Sequence, residues 1–155
     1  MRVDSFDEIA ETFSARVNRI VWCTVAIVDG EGRPTSRILH PIWEGPTGWI
    51  ATGRSSPKAA LLAANPFVSL SYWDQQHEQI YAECRSAWED DTAEKARIWN
   101  LLATTPPPMG YDPGAFWKDA SDPEYGVLKL TPWRVELFSL QDLIGGVAPQ
   151  VWRPR

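Results

Sequence analysis

The sequence predicts a single α+β domain, mainly antiparallel β, in which short strands close into a small barrel with flanking helices. Six or seven short segments are apolar, rich in β-branched residues or alternating in polarity, and tight turns separate them. These strands do not alternate regularly with helices, which argues against a doubly wound parallel sheet. A length of 155 residues suits one domain, and 13 prolines and 10 glycines are typical of a chain with many turns.

Helices are predicted where apolar residues recur at helical spacing. The predicted helices are 5–17, 57–64, 90–102 and 115–120. Ser5 and Glu8 form a capping box at the start of the first helix. Asp90 and Asp91 lie at the positive end of the third, where negative charge is favourable.

Strands are predicted where β-branched and aromatic residues lie between clusters of Gly, Pro, Asn or Asp. The predicted strands are 20–29, 35–44, 49–53, 67–73, 79–88, 125–130 and 133–140. Thr131 and Pro132 are expected to separate the last two strands.

Overall charge and composition exclude several classes of protein. The formal net charge is −5, so a broad surface for nucleic acid is not expected. No apolar stretch approaches the ~20 residues of a membrane helix, and the acidic N-terminal segment lacks the apolar region of a signal peptide. A cytoplasmic protein is therefore expected. Cys23 and Cys84 lack the spacing of a metal or disulfide site and are expected to be reduced core thiols.

The segment from Thr52 to Lys58 predicts an anion site. Ser56 is placed as the N-cap of a helix, and the backbone N–H groups that begin a helix favour an anion. Lys58 adds a positive charge and Thr52 and Ser56 add hydroxyl donors, with Arg54 and Ser55 as further candidates. Because the chain is acidic overall, one bound phosphate explains this local charge better than a nucleic acid. The alternative is an ordinary capped helix with a solvated lysine.

Two further polar residues lie on neighbouring predicted strands. From the strand 35–44, Arg37 can direct its planar guanidinium at the same anion. Gln79 opens the strand 79–88, and its amide can both donate to and accept from the imide edge of a ring. Each residue could instead be an exposed polar residue of a strand.

In their order and spacing these segments resemble the pyridoxamine 5'-phosphate oxidase-like family of flavin-binding split barrels, particularly its short, general-stress-protein-like branch. The matching segments are Arg37-Ile38-Leu39, Trp49-Ile50-Ala51-Thr52, Ser56-Pro57-Lys58, Asn65-Pro66-Phe67-Val68-Ser69-Leu70 and Gln79-Ile80-Tyr81. The resemblance implies a six- to seven-stranded split β-barrel over 1–155, with a core over about 5–140 and a C-terminal tail over 141–155.

The resemblance also implies an FMN-binding homodimer with the flavin in a groove at the subunit interface. The implied flavin-binding residues are Arg37, Ile38, Leu39, Ala51, Thr52, Ser56, Lys58 and Gln79. Arg37, Ser56 and Lys58 would hold the phosphate, and Gln79 would face the ring, from the partner subunit or from the same chain. No catalytic side chain and no metal is expected, because the flavin itself carries the chemistry.

Two departures from the family pattern bear on function. The chain ends Val151-Trp152-Arg153-Pro154-Arg155 and lacks the Arg-x-His-x-Arg element that grips pyridoxal phosphate, which argues against oxidation of pyridoxamine phosphate itself. Alanines and leucines follow Lys58, where many binders of the deazaflavin F420 have a lysine-rich helix, which favours FMN.

The expected function is that of an FMN-dependent oxidoreductase that moves hydride or electrons to or from a small organic substrate. Two alternatives stay open: a non-catalytic flavin-binding or stress-related protein, and a binder of F420 or haem on the same fold. The sequence does not indicate the substrate or the electron donor. Among nine tryptophans, Trp73, Trp117 and Trp152 are the candidate neighbours of flavin or substrate, and for Trp73 and Trp117 the alternative is a place in the core or at a dimer interface.

Overall fold

Nine β-strands and four α-helices build the chain in the computed structural model, which describes residues 1–155. The strands are β1 (Arg2–Val3), β2 (Cys23–Val28), β3 (Pro34–Leu39), β4 (Ile42–Glu44), β5 (Thr47–Gly53), β6 (Phe67–Trp73), β7 (Glu78–Trp88), β8 (Tyr125–Ser139) and β9 (Gln150–Trp152). The helices are α1 (Asp7–Ile20), α2 (Pro57–Ala64), α3 (Thr92–Thr104) and α4 (Leu140–Ile144). The predicted α+β class is confirmed.

One sheet with mostly antiparallel pairing forms the body of the protein. Its strand order is β1-β9-β8-β7-β6-β2-β3, and β1 pairs with β9 in parallel. β5 lies off this path and pairs with the first part of β8, while β9 pairs with the last part. The 15-residue β8 therefore belongs to two branches of the sheet, and this branching splits the barrel.

The predicted separation of strands 125–130 and 133–140 is wrong, because β8 runs through both as one strand. Pro132 has no N–H to donate to the ladder and was expected to end a strand. Opposite it, the register of β7 and β8 shifts between Glu83 and Cys84. This bulge absorbs the proline without ending either strand.

The predicted strand 35–44 is also divided in the structure. β3 ends at Leu39 and β4 begins at Ile42, so His40 and Pro41 lie in the gap. The missing N–H of Pro41 explains why the ladder stops there. As a result His40 leaves the sheet at the position where the candidate site lies.

The beginning of α1 differs from the predicted capping box. The N-cap position is Phe6, which makes no side-chain cap. Glu8 supplies half of the expected arrangement, because its carboxylate accepts hydrogen bonds from the backbone N–H groups of Asp4 and Ser5 at 2.8 and 2.9 Å. The helix continues to Ile20, beyond the predicted end at residue 17.

The main core lies between the sheet and α1. Every second residue of β2, β6 and β7 is buried, including Val25, Leu70 and Ala82, and burial of this apolar surface drives folding. At the edge of the sheet, Trp152 of β9 packs edge-on against Phe6 at 5.1 Å between ring centroids. The expected C-terminal tail therefore contains a strand, and Trp152 is a core residue rather than a neighbour of a ligand.

A second, smaller core fixes the connector between α3 and β8. Ile98 and Leu102 of α3 pack with Met109 of the connector and with Tyr125 and Val127 of β8. In place of the predicted helix over 115–120, the connector forms a single 3-10 turn at Pro113–Ala115.

Gly110 holds this connector close to the end of α3. A Cβ at this position would lie 1.7 Å from the carbonyl oxygen of Thr105, so no other residue fits without a shift of the backbone. The backbone N–H of Tyr111 also donates to the carbonyl of Leu102 at 3.0 Å. The connector is therefore held in one position against the end of α3.

Candidate functional site

Arg37 of β3 and Lys58 of α2 form the positively charged part of the candidate site. Antiparallel pairing places Arg37 opposite Val25 on β2, and α2 packs against β2. The proximity of the two cations affects the pKa of Lys58, which is lowered first by burial and then by the positive charge of Arg37. Two residues from separate predicted elements are thus brought together.

Neither cation is neutralised by a carboxylate. Lys58 Nζ donates to Thr52 Oγ1 at 2.6 Å and to Ser56 Oγ at 3.0 Å, and neither Lys58 nor Arg37 forms an ion pair. Arg37 donates to Thr35 Oγ1 at 3.1 Å, while its buried Nε has no hydrogen-bond partner. An unpartnered buried donor costs about 1–3 kcal/mol, so the pair favours an anion that would accept these hydrogen bonds.

Ser56 occupies the predicted N-cap position of α2 but does not cap the helix. Its side chain makes no bond to the first turn and instead accepts from Lys58, while Pro57 takes the first helical position as predicted. The start of α2 therefore keeps the partial positive charge of an uncapped helix beside two cationic side chains.

The other donors considered for this anion site are engaged elsewhere. Arg54 lies over the ring of Trp88 at 4.3 Å and approaches Asp90 at 3.7 Å. Ser55 Oγ donates to a carboxylate oxygen of Glu124 at 2.5 Å. The candidate anion site is therefore limited to Arg37, Lys58 and the hydroxyl groups beside them.

A cleft of about 470 Å³ adjoins this pair of cations. Four predicted residues line it, namely Ile38, Leu39, Ala51 and Thr52. Thr52 links the two parts, because it lines the cleft and also accepts the hydrogen bond from Lys58. The other lining residues are Trp22, His40, Ile50, Gly53, Pro108, Tyr111, Asp112, Phe116 and Trp117.

Gln79 does not line this cleft. It lies on β7 between Trp73 of β6 and Phe138 of β8. Its side-chain oxygen accepts a hydrogen bond from the hydroxyl of Tyr81, and its backbone carbonyl accepts one from Arg16 at 2.9 Å. Within one chain, the structure thus separates Gln79 from the other predicted site residues.

Five aromatic residues form what we call the aromatic wall of the cleft: Trp22, His40, Tyr111, Phe116 and Trp117. Successive ring centroids along this series lie 5.0, 5.1, 5.9 and 5.6 Å apart. Only Trp117 was identified from the sequence as a stacking residue. The other four lie in loops or at the ends of elements, where periodicity does not predict which way a side chain points. The one sequence feature that could have indicated them is the density of aromatic residues around Gly110-Tyr111-Asp112-Pro113.

Burial shifts the pKa of the two titratable residues in the aromatic wall, His40 and Tyr111. It lowers the pKa of His40, against a smaller opposing effect from the backbone of Met109, and His40 Nε2 is buried without a partner. Burial also raises the pKa of Tyr111 to about 12. Near neutral pH the wall is therefore uncharged.

The described residues offer no other reactive centre. Burial raises the pKa of Cys23 to about 12, so its thiolate is not populated near neutral pH, and Cys84 is also free and buried. No group of three His, Cys, Asp or Glu side chains is arranged to hold a metal ion. None of the helices has the length and apolar character needed to cross a membrane.

A branched antiparallel sheet of this kind defines the class of split β-barrels, and here it carries a pair of unneutralised cations beside an apolar cleft. Within that class, the chain belongs to the pyridoxamine 5'-phosphate oxidase family, because the family model of that description matches residues 9–138. No curated protein matches the chain.

Several solved structures share the split-barrel fold. A protein related to general stress protein 26, from Clostridium acetobutylicum, has 14% sequence identity and a TM-score of 0.73, with 95% of each chain covered. General stress protein 26 from Bacillus anthracis has 19% identity and a TM-score of 0.67, covering 86% of this chain and 99% of the other. A pyridoxamine 5'-phosphate oxidase-related, FMN-binding protein from Nostoc punctiforme has 19% identity and a TM-score of 0.64, covering 86% and 84%. These similarities confirm the predicted fold.

Proposed function

We propose that the protein binds FMN and is an oxidoreductase that moves hydride or electrons to or from a small organic substrate. The observation that carries this proposal is the pair of cations, Arg37 and Lys58, which have no carboxylate partner, with Thr52 joining Lys58 to the cleft. A phosphate monoester at the end of a flat apolar body matches both parts of the site. The FMN-binding relative from Nostoc punctiforme supports the choice of flavin.

The phosphate of FMN fits the donors at the start of α2. A guanidinium donates in a planar fork and an ammonium supplies a compact charge, so together they suit a dianion. The unpartnered Nε of Arg37 and the hydroxyl of Ser56 give further donors. Burial and then repulsion from Arg37 lower the pKa of Lys58, and a bound phosphate would offset the repulsion.

The ring of FMN fits the strand edges that form the cleft. Ile38 and Leu39 come from β3, and Ala51 and Thr52 from β5. Between these strands the lining of the cleft is apolar, which suits a flat heteroaromatic ring. In this proposal the backbone of the four residues flanks the ring, and Thr52 marks the end nearest the phosphate.

When bound, FMN supplies reversible hydride and electron transfer at its ring. The chain's own residues would bind the phosphate, orient the ring and exclude water from one of its faces. None of the cleft residues needs to act as a general acid or base for these roles. The uncharged state of His40 and Tyr111 is consistent with a site in which the cofactor carries the chemistry.

We also propose that the protein is a homodimer with the flavin at the subunit interface. Ile38 of the edge strand β3 lines the cleft and is 60% exposed, which is unusual for an apolar side chain at a finished binding site. Gln79 is separated from the cleft of its own chain. A second copy that covers the cleft would supply its Gln79 to the imide edge of the ring.

The direct test is flavin uptake by the purified chain. The absorbance spectrum and the mass of any released ligand distinguish FMN from F420 or haem. Titration of flavin-free protein should give micromolar or tighter binding of FMN and at least tenfold weaker binding of riboflavin, which lacks the phosphate. Absence of uptake at micromolar FMN, or equal affinity for riboflavin, would contradict the proposal. Reduction by a nicotinamide, followed by substrate-dependent reoxidation faster than for free flavin, would separate an enzyme from a flavin carrier.

A further inference from the structure

Two side chains of the aromatic wall are largely exposed to solvent. Trp22 is 58% exposed and Phe116 is 70% exposed, although both line a cleft. Proteins rarely leave large apolar side chains that line one cleft in contact with water unless the surface binds something. The wall is therefore a binding surface in its own right.

The wall is held rigidly before any ligand arrives. Gly110 and the hydrogen bond from Tyr111 to Leu102 fix the connector against α3, and the N–H of Trp117 donates to the carbonyl of Pro113 at 3.1 Å. Trp22 comes from a different segment, directly before β2, and its ring centroid lies 5.0 Å from that of His40. A preorganised surface of this kind loses little conformational entropy when it binds a flat ligand.

The distribution of charge limits which ligand this surface accepts. Asp112 is the one charged residue among those that line the cleft, and no lysine or arginine lines it. The faces of aromatic rings attract cations and the positive edges of other rings, and they do not attract anions. The cations that could hold a phosphate, Arg37 and Lys58, are committed to the flavin phosphate in the proposed function.

We propose that the aromatic wall is the substrate subsite, and that it binds planar aromatic molecules that are neutral or cationic and carry no phosphate or carboxylate. This inference rests on the proposed FMN function, since it assigns the strand-edge side of the cleft to the flavin. Stacking against Trp22 and Phe116 supplies the affinity. The absence of a cation among the lining residues excludes acidic substrates.

The test uses three probes with one ring system and different charge: naphthol, trimethylnaphthylammonium and naphthalenesulfonate. Calorimetric titration of the FMN-loaded protein near neutral pH should show binding of the first two and at least tenfold weaker binding of the sulfonate. Trp22→Ala and Phe116→Ala should each weaken naphthol binding at least fivefold. Trp133→Ala is the matched control, because Trp133 is 45% exposed but does not line the cleft, and it should leave naphthol affinity unchanged.

Equal or tighter binding of the sulfonate, no binding of naphthol, or equal effects of the wall and control variants would overturn the inference. Repeating the titration on flavin-free protein separates the two proposals. If FMN is not taken up but naphthol binds and Trp22→Ala weakens it, the proposed function fails and the aromatic subsite stands. If FMN binds and abolishes naphthol binding, the wall belongs to the flavin, so the inference fails and the proposed function stands.

Discussion

Lys58 Nζ donates to Thr52 Oγ1 across 2.6 Å, which ties the first turn of α2 to the end of β5. The lysine thus connects a helix start to the cleft, while its charge has no acidic partner. In this geometry Lys58 contributes a directed donor at the place where the cleft meets the anion site.

Removing this charge should weaken FMN binding selectively. For Lys58→Ala we expect FMN affinity to fall about 10- to 100-fold, since a hydrogen bond to a charged group contributes about 1.5–3 kcal/mol. Riboflavin affinity should stay unchanged. The affinities for FMN and for riboflavin are both measured by quenching of flavin fluorescence. Lys129→Ala, at an exposed lysine on β8, is the control and should bind FMN normally. Parallel losses for FMN and riboflavin would show that Lys58 supports the fold rather than the phosphate.

The affinity for FMN should depend on pH with two limbs. Below about pH 6 the phosphate takes up its second proton and loses charge. On the alkaline side, Lys58 loses its proton at a lower pH than its ordinary value of 10.5, because burial and then the charge of Arg37 lower its pKa. Binding titrations across this range should therefore show a maximum between the two limbs. In Lys58→Ala the alkaline limb should shrink, and an unchanged limb would assign it to another group.

The position of Gly110 makes a strong prediction about stability. In Gly110→Ala the added Cβ would meet the carbonyl oxygen of Thr105 at 1.7 Å, so the connector must move. We expect the free energy of unfolding to fall by about 1–3 kcal/mol or more, as in other overpacked sites. Denaturant unfolding measures this change. Gly30→Ala is the control, because nothing lies within 4 Å of its added Cβ, and its unfolding free energy should change by less than about 0.5 kcal/mol.

His40 should make the fold sensitive to mild acid. Burial lowers its pKa in the folded state below the ordinary 6.5, so the unfolded state binds more protons in this window. Stability should therefore fall as the pH decreases through about 6.5, with the loss complete below the folded pKa. Thermal melting between about pH 7 and 5 should show a smaller acid effect in His40→Asn than in the parent. Glu44 titrates below that window, because the hydrogen bond from Arg97 lowers its pKa. Parallel curves for parent and variant would remove His40 from this role.

The elements and the cationic part of the site could be predicted because their signals are local. In β2, β6 and β7 one face packs on the core, so alternation along each strand marks Val25, Leu70 and Ala82 directly. Lys58 could be proposed as a candidate because it follows Ser56 at a predicted helix start, and Arg37 because it lies on a predicted strand from which its guanidinium can reach the same anion. Their proximity depends only on neighbouring elements, β2, β3 and α2.

The aromatic wall could not be predicted, because its members are placed by contacts between distant segments. His40 faces the cleft only because Pro41 interrupts the ladder, and Tyr111 does so because Gly110 packs on the end of α3. At Pro132, by contrast, the sequence predicted a strand break that the structure does not contain. A proline in mid-strand predicts a break, but here β8 bulges at Trp133, between Pro132 and Arg134, and whether such a bulge keeps the pairing depends on both strands.

β8 hydrogen-bonds to β5, β7 and β9, and this has a consequence for cooperativity. Fraying of β9 or release of β5 leaves β8 paired with β7, whereas disruption of β8 detaches both branches at once. The amide protons of β8 that bond to β7 should thus exchange with solvent only through global unfolding. The strand β5 at the cleft and the sheet edge at β9 can therefore each open alone, but both are released together when β8 unfolds.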